Sequence, residues 1–136
     1  MKKLILATLG LLAASPLAAA PARPEETKKM AFMHALPNVP GKSLIAAEVT
    51  YPPNGASPPH THAPSSFIFA YVLSGEIKSS VDGAPVRTFK PGESWFEAPG
   101  AHHAVSENAS RTKPARLLAV FVVDSNDHNL VIPDHR

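Results

Sequence analysis

Cysteine is absent from this chain of 136 residues, which excludes disulfides, thiolate metal ligands and a lipid anchored through a thiol. An excess of one charge is nearly absent too, since thirteen Lys and Arg stand against eleven Asp and Glu. Tryptophan occurs once and glycine seven times. The longest apolar run, Leu4 to Ala14, is about 11 residues, whereas a membrane-spanning helix takes roughly 20. That run follows Lys2 and Lys3 and precedes the small-residue stretch Ser15 to Ala22, the order of a bacterial secretory signal. Residues 1–22 are therefore read as a signal peptide, cut after Ala19, Ala20 or Ala22, and the mature protein is expected to be periplasmic or secreted. Cutting there removes two lysines and no acid, which leaves eleven charges of each sign. A neutral chain without a Lys/Arg cluster offers nothing to nucleic acid, and no membrane contact is expected once the signal is gone.

What remains is enough for one domain with a core of its own. The chain has 15 prolines and 44% apolar residues, and its apolar runs are short, a composition that suits many strands joined by tight turns and almost no helix. Residues 23–40 read as a Pro-rich tether with a brief apolar patch, Met30 to Leu36, that suits an edge strand. Residues 41–123 carry the strand signals, at Ser43–Tyr51, Ser66–Leu73, Glu76–Val81, Val86–Phe89, Ser94–Glu97, His103–Ser106 and Arg116–Val123. Asp82-Gly83 supplies a hairpin turn, and Gly75, Gly92 and Gly100 also sit in turn settings. Residues 124–136 are a polar tail without a strand pattern, expected either to wrap the barrel or to fray. Phe67, Phe69, Tyr71, Trp95, Phe96 and Phe121 are expected to fill the interior. No internal repeat points to a second barrel.

Seven histidines are present and four are placed suggestively. His60 and His62 lie two apart after a Gly/Pro turn, so on an extended segment both imidazoles leave one face, the spacing a strand needs to offer two ligands to one metal. Two surface histidines in a Pro-rich loop would look the same. A third imidazole decides the matter, and His102-His103 follows the turn Ala98-Pro99-Gly100 about 40 residues on, a distance that a Greek-key connection closes. His34, His128 and His135 lie in tether and tail and are expected to be solvated.

At these residues the chain resembles the cupin family. The segment GASPPHTHAPSSFIFAYVLSG, Gly55 to Gly75, is similar to the first cupin motif, and GESWFEAPGAHHAVSEN, Gly92 to Asn108, to the second. The likeness extends over about residues 36–123 and is strongest to small, secreted, single-barrel proteins of the cupin-2 kind. It implies an all-β fold, a double-stranded β-helix or jelly-roll-like barrel. Carried over position by position, it makes His60, His62 and His103 ligands of one divalent transition metal (Fe, Mn, Ni, Cu or Zn), with His102 facing away.

One departure stands out. The first motif also carries a glutamate, and counting seven back from Gly75 lands on Ile68; no carboxylate lies between His62 and Gly75. Either three imidazoles leave open positions to water or substrate, or Glu97 replaces the lost carboxylate as ligand or acid/base group. Glu97 could equally be a rim residue paired to a surface Lys or Arg, and Glu48 is a weaker candidate that should face solvent. Three function classes stay open: a metal-dependent enzyme on a small organic molecule, as dioxygenase or as non-oxidative isomerase or lyase; a small-ligand-binding module; and a structural module. Small cupins commonly associate through N-terminal strands, so a homodimer is expected.

Overall fold

The computed structural model describes residues 21–134. His135 and most of the stretch read as a signal peptide lie outside these residues. No helix occurs among them, and eleven strands account for the fold: β1 (Thr27–Ala35), β2 (Lys42–Tyr51), β3 (Ala56–Ser57), β4 (His60–His62), β5 (Phe67–Ser74), β6 (Ile77–Val81), β7 (Arg87–Phe89), β8 (Ser94–Glu97), β9 (His102–Asn108), β10 (Ala115–Asp124) and β11 (Val131–Pro133). They form two antiparallel sheets that pack face to face, one ordered β1-β2-β10-β5-β8 and the other β11-β4-β9-β6-β7, with β3 also on β9. This is the all-β, two-sheet barrel that the motifs imply.

Alternation decides what lies between the sheets. In β10 the residues Ala115, Leu117, Ala119, Phe121 and Val123 turn inward, and their partners on β2 are Tyr51, Val49, Ala47, Ile45 and Ser43. Ile68 and Val72 from β5, Ile77 from β6 and Phe89 from β7 complete the core. The Asp82-Gly83 turn forms as its composition suggests, with both residues at positive φ (51° and 75°) and Ala84 N–H donating to the Val81 carbonyl at 3.0 Å.

The aromatic residues correct one expectation. Trp95 is half-buried against the core and Phe121 is buried, but Phe67, Phe69, Tyr71 and Phe96 are exposed. The run Phe67–Ser74 is apolar on both faces, so it carries no period-2 signal saying which side turns in. The fold turns in the smaller set, Ile68, Ala70 and Val72, which fits a narrow interior that also holds three imidazoles. The C-terminal segment corrects another in part: it wraps the barrel, one of its two expected courses, and does so as a strand, since Val131–Pro133 pairs with β4.

Gly75 joins β5 to β6 at φ +69°, and a Cβ there would lie 2.7 Å from the Ala115 Cβ. Gly83 has a similar φ, +75°, and open space around it. Gly83→Ala should therefore cost only the left-handed strain, about 1 kcal/mol, while Gly75→Ala adds a backbone clash and should cost about 2–3 kcal/mol or more. Urea midpoints of the two variants measure the difference, and equal costs would mean that Ala115 yields freely.

Candidate metal centre

Pairing of β4 with β9 sets His60 directly opposite His103 and Thr61 opposite His102. His60, His62 and His103 point inward and are buried, while Thr61 and His102 point the other way. His102 instead meets Asp134 at 2.9 Å on the surface. Ring centroids of the three inner histidines are 4.7 Å (His60–His62), 5.3 Å (His60–His103) and 6.3 Å (His62–His103) apart. One ring nitrogen from each lies within 4.8 Å of the others, a spacing that could hold a metal ion. His34 and His128 are exposed.

Glu97 enters the cluster from the opposite sheet. On β8 it is the direct partner of Ile68 on β5, so the carboxylate stands one strand over from the position where the first cupin motif would carry it. It is 3% exposed, not a rim residue. Its Oε1 lies 3.2 Å from His103 Nδ1 and accepts from Trp95 Nε1–H at 3.0 Å; its Oε2 lies 2.9 Å from His62 Nε2. Glu48 faces outward and binds Arg116 at 2.9 and 2.8 Å, as expected of it.

The protons of this cluster can be traced. His60 Nδ1 lies 2.8 Å from the Pro58 carbonyl and His62 Nδ1 3.1 Å from the Leu130 carbonyl. A carbonyl only accepts, so each Nδ1 carries the hydrogen and, in the neutral rings, each Nε2 carries a lone pair. Those two Nε2 atoms face one another at 3.2 Å. Glu97 Oε2 also points at His62 Nε2 and, off the line of any ring N–H, has no hydrogen-bond donor although it is buried. Buried acceptors that converge without a donor need a positive charge between them, either an extra proton or a metal cation. The donor set, imidazole nitrogen and carboxylate oxygen, suits a divalent transition metal.

Local electrostatics agree. Burial lowers the pKa of His60 and keeps its imidazole neutral, with the neighbouring His62 and His103 adding to the effect against the Pro58 hydrogen bond. Burial alone would raise the Glu97 carboxyl, but the hydrogen bonding and positive charge that His103 and His62 can offer more than offset this and hold it well below the usual carboxylate range, so the anion is favoured where a cation or a proton sits among the rings.

The cluster lines a cavity of about 80 Å³, walled largely by apolar side chains such as Val49, Ile68, Leu117 and Phe121. That is several times the roughly 10–15 Å³ that one water needs. Sequence reasoning missed several polar groups here. Tyr51 Oη contacts Ser106 Oγ at 2.7 Å and Ser57 Oγ at 3.1 Å; burial pushes its phenol up to about 12, so it stays a neutral O–H. Ser79 Oγ holds His103 Nε2 at 2.9 Å, and Lys28 of β1 lines the cavity while bound to Glu26 at 2.6 Å. Trp95, expected only to fill the interior, did leave a signal of its role, standing two before Glu97 and hence on its face of the strand.

Comparison with known proteins agrees with this architecture. A germin-like protein of Arabidopsis thaliana, subfamily 2 member 2, is 31% identical over 90 residues, which cover 63% of this chain and 40% of that protein. The chain thus spans about two fifths of the length of that relative. A double-stranded β-helix protein from Klebsiella pneumoniae superposes with a TM-score of 0.63 at 17% identity, over 90% of this chain and all of that one. An oxalate oxidase superposes at 0.56 with 23% identity, over 66% of this chain and 45% of that one. The sequence model of the cupin domain matches residues 47–121, more than half of the chain, and the chain belongs to the cupin domain family.

Proposed function

We propose that this protein is an exported metal-dependent enzyme acting on a small organic molecule, with the metal held by His60, His62 and His103 and assisted by Glu97. The observation that carries the reading is the convergence of three buried acceptors, His60 Nε2, His62 Nε2 and Glu97 Oε2, which calls for a positive charge between them. When bound, a divalent metal supplies Lewis acidity there and, if redox-active, electron transfer.

The chain's own groups do the rest. The carbonyls of Pro58 and Leu130 fix the His60 and His62 rings, and Ser79 steadies His103. Trp95 Nε1–H holds one oxygen of Glu97 and leaves the other to act as ligand or to take up a proton from water or substrate. Apolar walls keep bulk water away and strengthen these interactions. Small carboxylates are the first substrates to try, because an oxalate oxidase shares the fold and a carboxylate suits a site whose three ligands are neutral. Export rests on the Lys2-Lys3 start, the apolar run and the small residues up to Ala22. A homodimer is proposed as the working unit.

The test is elemental analysis of mature protein purified without chelator or histidine tag, followed by assay on small carboxylates, oxalate among them, with and without oxygen. Up to one Fe, Mn, Ni, Cu or Zn per chain is expected, with product formation that chelators abolish. Protein that takes up none of these metals would sink the reading. Metal-loaded protein that binds carboxylates tightly without changing them would replace the enzyme by the binding module.

A further inference from the structure

The two sheets are bridged along one pair of edges and open along the other. Phe89 of β7 packs on Trp95 of β8 at 4.6 Å between centroids, across the gap between those two edge strands. No ladder joins the opposite edges, β1 and β11, among the described residues. Yet Lys28 of β1 and Val131 of β11 line the same cavity as the three histidines. Register explains how Lys28 arrives there. It stands opposite Val49, which points inward, and cross-strand partners share a face. Met30, the next residue on that face, is 60% exposed, so the inner side of β1 is open to solvent.

Apart from the histidines, the charged side chains on the cavity wall are Glu97 and Lys28. A lysine on an edge strand ordinarily carries its head out into bulk water. Lys28 is pinned instead, since Glu26 Oε1 accepts from its Nζ at 2.6 Å and the Glu26 side chain is only 4% exposed. Burial opposes the charge on Glu26, but the Lys28 ammonium more than offsets it and keeps the carboxyl below its usual range. An ammonium has three N–H donors, and Glu26 takes one of them, which leaves donors for a ligand. The charges also count. A divalent metal at the histidines and the Lys28 ammonium stand against the Glu97 and Glu26 carboxylates, an excess of one positive charge. A cavity with apolar walls favours the ligand that cancels that excess, an anion of single charge.

We infer that Lys28 is a specificity-determining residue of this site, its ammonium holding a small monocarboxylate that enters between β1 and β11, with Glu26 as its positioning residue. The inference rests on the proposed function and narrows its substrates from carboxylates at large to monoanions. An inward lysine on an edge strand also deters pairing with a foreign strand, a role that would leave ligand affinity untouched.

Calorimetric titration of zinc-loaded protein with lactate and with its uncharged amide, lactamide, separates the two roles. Lys28→Gln should weaken lactate binding by about 10–100-fold, the scale of a hydrogen bond between charged groups, and change lactamide binding by less than about threefold. Lys28→Arg, which keeps the charge, should restore most of the lactate affinity. Zinc uptake, measured against a chelator, should be the same in all three proteins. Glu26→Gln removes one negative charge and should raise affinity for the dianion malonate several-fold relative to lactate. Zinc-loaded wild type that ignores lactate, equal lactate affinity in wild type and Lys28→Gln, or a lactamide affinity that falls in step would overturn the inference and leave the metal centre standing. Protein that takes up no divalent metal would overturn it together with the proposed function.

Discussion

Replacing His60 or His103 by alanine is expected to lower affinity for a divalent metal by more than about 100-fold, beyond the loss usual for an outer-shell partner. His102→Ala, one residue from His103, should leave affinity nearly unchanged, because its ring faces Asp134 on the surface. Competition against a colorimetric chelator measures all three, and parity between the His102 and His103 variants would refute the assignment. Thermal stability should follow affinity, since metal at about 100 times its Kd adds about 2.7 kcal/mol to the folded state. Acid should reverse the effect, because ligating imidazoles must be neutral. Burial lowers the pKa of His60, so it competes poorly for protons until the pH falls below the ordinary histidine value of about 6.5. In the metal-free protein the sign is the same. Just below that value the unfolded chain binds more protons than the folded one, so the His60 contribution is present above it and is lost as pH falls.

Glu97→Gln should keep the fold and lower metal affinity by about 10–100-fold, with a larger loss of turnover on any substrate found. Glutamine has nearly the same shape, but its amide cannot carry the charge that answers a cation or take up a proton. Trp95 can still donate to the amide oxygen, so the packing around Phe89 and Trp95 is preserved. The pH dependence separates the charge from the packing. The Glu97 carboxyl is held below its unfolded range by His103 and His62, against burial, so its stabilisation is fully present above about pH 4.5 and is lost as acid titrates it. Glu97→Gln should flatten that part of the metal-free stability curve, as acid unfolding at stepped pH would record. A variant with wild-type affinity, turnover and acid profile would leave Glu97 a structural residue.

The spacing of polar residues made much of the site legible in the chain itself. A pair two apart on a strand must share a face, and His103 follows a Pro-Gly turn at a distance that a barrel closes, so the three inner histidines and the outward His102 could be named without coordinates. Glu97 could be named but not placed. Its position depends on β8 pairing with β5 so that it stands opposite Ile68, a contact between segments almost thirty residues apart. The carbonyl of Leu130 that fixes His62, and the pairing of β11 with β4, had no signature because backbone groups look alike in every sequence.

Composition and the two motifs by themselves determined an all-β barrel with a histidine cluster, since alternation and turn residues act over a few positions. Only tertiary structure decided which face of an all-apolar strand turns inward. With Phe67, Phe69 and Tyr71 on one side of β5 and Ile68, Ala70 and Val72 on the other, both choices bury apolar surface. A one-residue slip would exchange the two sets, so local pattern cannot choose between them. The space around the histidines, shared with Trp95, Phe121 and side chains from both sheets, holds the smaller set and leaves the rings of Phe67, Phe69 and Tyr71 outside.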